Sequence, residues 1–500
     1  MKVTIFSGWV VLLATLTSCM VIPQERSSEL SLPAAWSTTP DPAKGKKAQT
    51  DELRPETDLT RWWTTLDDRR LHELIDRAVA YNLDVREAEA RIREARASRT
   101  VVAADRWPLV SSAGSYTRSR RSASLVSGSS STASSGTGTD SGSSSRFFGF
   151  SGEQEFFQGN FDASWELDIF GHIHWSVQAA EADLAVAEEN RRDVLVTLLA
   201  DVARSYVELR GFQYRRVIAE ENIIAQQDNV EITQARFHAG VTSALDVAEA
   251  QALLANTRAQ VPPLENGARQ SIHRLSVLLG QAPDALLEEL VPSTPIPTAT
   301  VSDTIGLPSE LLRRRPDIRR AERELAAATA RLGVAEADLF PRFSLTGALG
   351  LQSLDITDLA EWPSRFWTAG AGIRWPIFDA NRLRANIQVQ DARQEQALVR
   401  YERTILRSLE DVENALIGYA REHERRRLLV DAVQADQEAL ELATERYRSG
   451  LTDFLNVILA QRALYTSQDA LAQSETAVIV QLIALYKALG GGWEVYAAGR

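Results

Sequence analysis

Sulfur is nearly missing from this chain: 500 residues contain one cysteine, Cys19, and two methionines. A single cysteine forms no intrachain disulfide and cannot build a cysteine-rich metal site. Positive charge is in deficit, with a net charge of −12 and an isoelectric point near 5.2. General nucleic-acid binding needs a cationic footprint, so that partner is set aside. Past residue 19 no unbroken apolar run approaches the ~20 residues of a membrane helix. Any spanning segment has to be β-structure. Proline is absent between Pro108 and Pro262 and again after Pro376, which leaves room for very long helices.

What is present begins with a secretory signal over residues 1–18, where Lys2 is followed by an apolar stretch from Ile5 to Leu16. The junction Leu16-Thr17-Ser18-Cys19 resembles the bacterial lipobox, which implies lipid attachment at Cys19. Met20 follows it instead of the aspartate that retains such lipoproteins at the inner membrane, and this implies an outer-membrane address. Residues 19–60, with five prolines from Pro23 to Pro55, read as an extended tether.

The rest of the chain is written twice. Arg236, Gly240, Thr242, Leu245, Val247, Ala250 and Gln251 recur in order, at one constant step, as Arg446, Gly450, Thr452, Leu455, Val457, Ala460 and Gln461. Asp84, Arg86, Ala88, Glu89 and Pro108 recur likewise as Asp317, Arg319, Ala321, Glu322 and Pro341. Two repeats follow, 61–290 and 305–490, with a tail at 491–500. Within each, the pattern predicts a helix, a strand pair, a very long helix and a second long helix.

Stretches 171–239 and 379–449 are the very long helices, each roughly 100 Å at 1.5 Å per residue. Leu195, Leu198, Val202, Tyr206 and Leu209, and again Leu409, Val412, Leu416 and Tyr419, keep coiled-coil spacing. Gly240 and Gly450 end these helices, and new helical patterns start at once. Each phrase is therefore a hairpin tip, with Thr242 and Thr452 as expected N-caps.

Strands are predicted near 109–118, 161–169, 343–351 and 366–375. Phe161, Ala163, Trp165, Leu167 and Ile169 alternate with Asp162, Ser164, Glu166 and Asp168, the pattern of a sheet between lipid and water. Asp162, Glu166 and Asp168 on the water face favour cations modestly. The Ser/Gly-rich segment 122–145 joins the first two strands as a surface loop. Four strands close no barrel, so chains must pool them, two copies giving eight and three giving twelve.

Enzymatic readings find little footing. His172 and His174, with Asp168 nearby, have the i and i+2 spacing of one strand face but stand at a strand-to-helix turn, where sequence brings no further metal ligand close. Glu410, Asp411 and Glu413 fall mostly on different helix faces, as surface or pore-lining charge. "RRR" at 313–315 precedes Pro316 at a helix start, and "RRR" at 425–427 lies among glutamates. "GGG" at 490–492 follows a helix and terminates it. No catalytic residue, metal site or cofactor is expected.

The phrases "SWELDIFG" (164–171), "RFHAGVTSALDV" (236–247), "LPSELLRRRPDIRRAERELAAATARLGVAEADLFPRFSLTG" (307–347), "WPIFDANRLRANI" (375–387) and "LYKALGGGWE" (485–494) resemble the outer-membrane efflux protein family. The likeness is to its TolC-like group and, within it, the NodT-type lipoprotein branch. It implies a homotrimer: a twelve-stranded β-barrel in outer-membrane lipid continued by a twelve-helix α-barrel into the periplasm. The implied partners are a periplasmic adaptor (membrane fusion) protein and an inner-membrane RND-type pump, with passive conduction as the function. By position, Arg236, Gly240, Val241, Thr242, Arg446, Gly450, Leu451 and Thr452 match hairpin tips that meet the adaptor. Leu455, Leu459 and Arg462 match the periplasmic gate. Where the family often has "LDAQR", this chain has "ILAQR", so Leu459 replaces an aspartate and points to an apolar constriction. The competing readings are a duct for type I protein secretion and a non-conducting periplasmic coiled-coil scaffold.

Overall fold

The computed structural model describes residues 20–24, 26–28, 30, 31, 33, 36, 59–120, 153–299 and 311–496. The expected signal peptide, Cys19, the loop 122–145 and the last four residues lie outside the described residues. The chain forms two compact units. One comprises Met1–Glu25, Ala97–Ala180 and Ala328–Arg393; the other comprises Arg26–Arg96, Glu181–Ala327 and Gln394–Arg500. Both repeats contribute to each unit.

The first unit holds a four-stranded antiparallel sheet in the order β1 (Leu109–Arg120), β2 (Glu153–Leu167), β3 (Arg342–Ser353), β4 (Arg365–Arg374). Its register aligns apolar residues in rows across the strands. Phe161 pairs with Leu349 and Leu349 with Trp367, while Leu167 pairs with Phe343 and Phe343 with Ile373. Because side chains alternate faces, these rows share one face. Phe161, Leu349, Trp367 and Ile373 are each more than 60 % exposed there. Residues on the other face are Asp162 opposite Ala348, Ser164 opposite Thr346 and Glu166 opposite Ser344. At one end of the sheet the indole N–H of Trp165 donates to the carbonyl of Arg106 at 3.1 Å, and that of Trp375 to Leu339 at 3.0 Å. These rings keep their polar edges satisfied while their bodies remain exposed.

Eight helices longer than three turns follow one another in the described residues: α1 (Arg69–Tyr81), α2 (Leu83–Ala104), α3 (His172–His238), α4 (Ala244–Arg258), α5 (Val261–Leu278), α6 (Pro316–Ala337), α7 (Arg382–Arg448) and α8 (Phe454–Ala488). α3 and α7 run 67 residues each, close to the predicted spans. None of the described helices is long and apolar enough to cross a membrane. The second repeat returns as one helix, α8, but the first returns as two, α4 and α5. Pro262 and Pro263 explain the difference: they sit in the first turn of α5 and lack the N–H groups that would continue the ladder.

In the second unit the predicted stripe Leu195, Leu198, Val202, Tyr206 and Leu209 of α3 is buried throughout. Val412 and Leu416 of α7 are buried as well, with Leu409 and Tyr419 at the rim. Leu71, Leu74 and Ile75 of α1 and Leu482 and Tyr486 of α8 complete this core. Asp68 serves two purposes there. One oxygen caps α1 at the N–H of Leu71, 3.1 Å away, and the other accepts the Tyr206 hydroxyl at 2.7 Å. The cap thereby fixes α1 against α3.

The triple glycine ends α8 as expected, with Gly490 at φ +72. Beyond it, residues expected to form a tail are packed. The guanidinium groups of Arg192 and Arg319 lie over the Trp493 ring, 4.8 and 5.5 Å from its centroid, and Tyr496 donates its hydroxyl to Asp76 at 3.0 Å.

Candidate functional site

Both hairpin tips are built by the same local chemistry. α3 ends where Gly240 adopts φ +72, and α7 ends where Gly450 adopts φ +74. The N–H of Val241 donates to the Arg236 carbonyl, and that of Leu451 to the Arg446 carbonyl, both at 2.9 Å. This left-handed closure satisfies carbonyls that the helix end would otherwise leave unpaired. It also pushes the following apolar residue outward: Val241 is 71 % and Leu451 70 % exposed.

The expected caps sit one residue later than predicted. Ser243, not Thr242, caps α4, accepting from the N–H of Asp246, while Asp246 returns a bond to the Ser243 N–H in a capping box. Thr242 instead donates its hydroxyl to the Asp246 carboxylate. Asp453, not Thr452, takes the cap position of α8, and the Thr452 hydroxyl accepts from the Asn456 amide at 2.6 Å. Adjacent Thr-Ser and Thr-Asp pairs both offer capping oxygens, so backbone geometry decides between them. The Thr242 bond, with help from the Ser243 N–H, outweighs slight burial and holds the Asp246 carboxyl below its ordinary range.

Behind the tips, Val230, Leu254, Phe454, Val457 and Ile458 form a small apolar cluster separate from the main core. Next to it on α8, Leu455, Leu459 and Arg462 follow each other at steps of four and three, hence on one helix face. All three are exposed, Leu455 at 47 % and Leu459 at 54 %. They line a cavity of about 750 Å³ together with Glu249 of α4 and, at its far end, Arg215 and Asp469. The same face continues to Asp469, which Arg215 of α3 grips with two hydrogen bonds of 2.6 and 3.1 Å. That pair went unrecognised in the sequence, although the stripe spacing leads to Asp469 directly.

A third polar assembly surrounds Arg315. Its guanidinium donates to both oxygens of Asp317 at 3.0 and 2.8 Å, to Asp411 at 3.1 Å and to the Ala488 carbonyl at 2.9 Å. Burial would lower its pKa, but the two carboxylates overcome this and raise it. The "RRR" run at 313–315 thus contains an internal ion-pair hub, and Asp411 is one of its partners instead of a plain surface charge. Nearby, burial raises the pKa of Asp193 despite its bond from Arg320.

The residues weighed as metal ligands have other work. Asp168 lies beyond β2 and accepts the N–H groups of Ile173 and His174 at 3.1 and 2.6 Å, capping α3. His172 faces Asp338 at 3.1 Å. Asp168 therefore leaves the water face of the sheet. Of the other two acids expected there, Glu166 is 4.0 Å from Arg342, and Asp162 accepts from the Asn160 amide at 2.5 Å.

The profile of the outer membrane efflux protein family matches residues 74–281 and 307–491. The chain is 33% identical over 484 residues to the pyoverdine export outer membrane protein OpmQ of Pseudomonas aeruginosa, covering 96% of this chain and 95% of that one. It is 30% identical over 479 residues to Nodulation protein T of Rhizobium leguminosarum bv. trifolii, with 96% and 95% covered. Among solved structures, the outer-membrane channel OprN superposes with a TM-score of 0.83 at 37% identity, over 95% of this chain and all of that one. A duplicated pattern of paired strands and long helical hairpins, matched along nearly its whole length, places this chain in the outer membrane efflux protein family.

Proposed function

We propose that three copies of this chain pool their strands and hairpins into one channel, the outer-membrane component of a tripartite efflux system. The observation that carries this reading is the sheet: one face exposes a continuous apolar surface, and the outer edges of β1 and β4 carry no paired strand among the described residues. In hydrocarbon each unpaired N–H or C=O costs several kcal/mol. Two edges of about ten residues would cost far more than the apolar face gains, so the edges must be joined between copies. Three copies of four strands give a barrel of twelve.

In this arrangement the apolar face meets lipid and the face carrying Asp162, Ser164 and Thr346 lines water. The helical hairpins extend into the periplasm, where the exposed Val241 and Leu451 tips meet an adaptor protein that joins the channel to an RND-type pump. Leu455 and Leu459 form an apolar constriction that closes in part by excluding water, and Arg462 adds a charged ring beside it. A lipid on Cys19 anchors the chain to the outer membrane. Conduction is passive, and the pump supplies the energy. No reaction is assigned to the chain.

Purified mature protein in a planar bilayer tests the proposal. Discrete conductance steps from a species that migrates as an oligomer until heated are expected. A stable solitary chain in detergent and lipid, without conductance, would overturn it.

A further inference from the structure

The two tips share a backbone but not a set of contacts. In both, the same glycine closure fixes an arginine followed by an aromatic residue: Arg236-Phe237 in the first tip and Arg446-Tyr447 in the second. The Arg236 guanidinium carbon lies 4.4 Å from the centroid of the Tyr447 ring, and Tyr447 is 9 % exposed and leans on Phe454 at 5.0 Å. An arginine of the first tip thus covers the aromatic ring of the second. The reciprocal pair is left open, since Arg446 is exposed and Phe237 is 43 % exposed.

A large aromatic ring left in water beside an arginine, in the same backbone frame that elsewhere stacks the two, calls for a partner of matching chemistry. The internal repeat identifies it. Where first and second tips alternate around a ring of copies, the step from a first tip to its own second tip is repeated from that second tip to the first tip of the next copy. Applied to Arg236 and Tyr447, the repeated step sets Arg446 over Phe237. A phenyl ring presents the same negatively polarised face to a guanidinium as a phenol, so the loss of the hydroxyl does not weaken the match.

We propose that Arg446 stacks on Phe237 of the neighbouring copy, so that arginine–aromatic locks close the circle of tips alternately within and between chains. This rests on the ring of copies proposed above and adds the residues that join them at the tips. The locks within a chain hold its two hairpins as a pair. The Arg446–Phe237 locks hold one copy to the next.

The test uses the full mature protein in outer membranes with Phe237→Cys and Arg446→Cys combined, treated with a thiol-reactive linker about as long as an arginine side chain. Covalent dimers and trimers on denaturing gels are expected. Arg236→Cys with Tyr447→Cys should lose its free thiols to the same linker without gaining mass. Each single cysteine alone should remain monomeric, and a ladder from either one would overturn the proposal. Failure of the Phe237/Arg446 pair to join chains, in protein that still migrates as an oligomer before heating, would overturn it and leave the channel reading standing. Absence of any oligomer would overturn both.

Discussion

Arg215 of α3 and Asp469 of α8 face each other through two nearly parallel hydrogen bonds, 2.6 and 3.1 Å long, with both side chains about three-quarters buried. Forked pairing of this kind holds two helices at a fixed separation and is stronger than a single exposed ion pair. Asp469 lies on the face of α8 that carries Leu455, Leu459 and Arg462, so in the proposed channel the pair would set the position of the constriction. Asp469→Asn should increase the open probability of single channels, with a coupling of about 1–2 kcal/mol in a double-mutant cycle with Arg215→Gln. The exchanged pair Arg215→Asp with Asp469→Arg should restore closure in part.

The constriction itself can be tested by polarity. Leu455→Ser with Leu459→Ser removes two exposed apolar side chains per copy and hydrates the narrow segment. Single-channel conductance should rise, and the rise should be larger than for Leu455→Ile with Leu459→Ile. Unchanged conductance would remove these residues from the gate.

Opposite faces of the sheet should respond oppositely to the same substitution. Leu349→Arg places a charge in the exposed apolar row and should cost about 2–4 kcal/mol if that row meets the bilayer midplane. Thr346→Arg, three residues away on the other face, should be tolerated. The amount of heat-modifiable oligomer in outer membranes is the measurement.

Two glycines with equal φ should differ in tolerance. At Gly240 nothing lies within 4 Å of an added Cβ, so Gly240→Ala pays only for the left-handed backbone, about 1 kcal/mol. At Gly490 the added carbon would stand 2.9 Å from Cγ and 3.1 Å from Cα of Arg315. Gly490→Ala should therefore destabilise by about 2–4 kcal/mol. Thermal denaturation of the two variants, run in parallel, compares the costs.

Acid should loosen the first tip. Because the folded chain holds the Asp246 carboxyl below its ordinary range, chiefly through Thr242, its contribution to stability is complete above the unfolded value of about 3.9. The contribution is lost as pH falls through the lower folded value. Cleavage by pepsin between 241 and 246 should accelerate as pH drops from 5 to about 2 in the native protein, beyond the enzyme's own pH response. Asp246→Asn should be cleaved readily across that whole range.

Features governed by local rules were legible in the sequence. The ends of α3 and α7 came within a few residues of their predicted positions, since missing prolines and a single terminating glycine act on the backbone nearby. The sheet faces followed from alternation. The caps at Ser243 and Asp453 fall one residue later than expected because adjacent residues all carry capping oxygens and the backbone conformation at the turn, not the residue type, selects the cap position. Arg315 with Asp411, and Arg215 with Asp469, join residues 96 and 254 positions apart; helix spacing can place Asp469 on its face, but no local pattern names the partner across such a separation. The break between α4 and α5 was written in Pro262 and Pro263, but symmetry between the repeats argued for a continuous helix there.

The unpaired margins of β1 and β4 also bear on inheritance. In the proposed ring of copies the wall is assembled from shared staves and is only as sound as its worst stave, so one damaged copy would spoil every complex it enters. Alleles that preserve the margins yet cripple the gate or tips should accordingly act as dominant poisons in cells that also make the intact protein, whereas alleles that destroy the margins should be recessive.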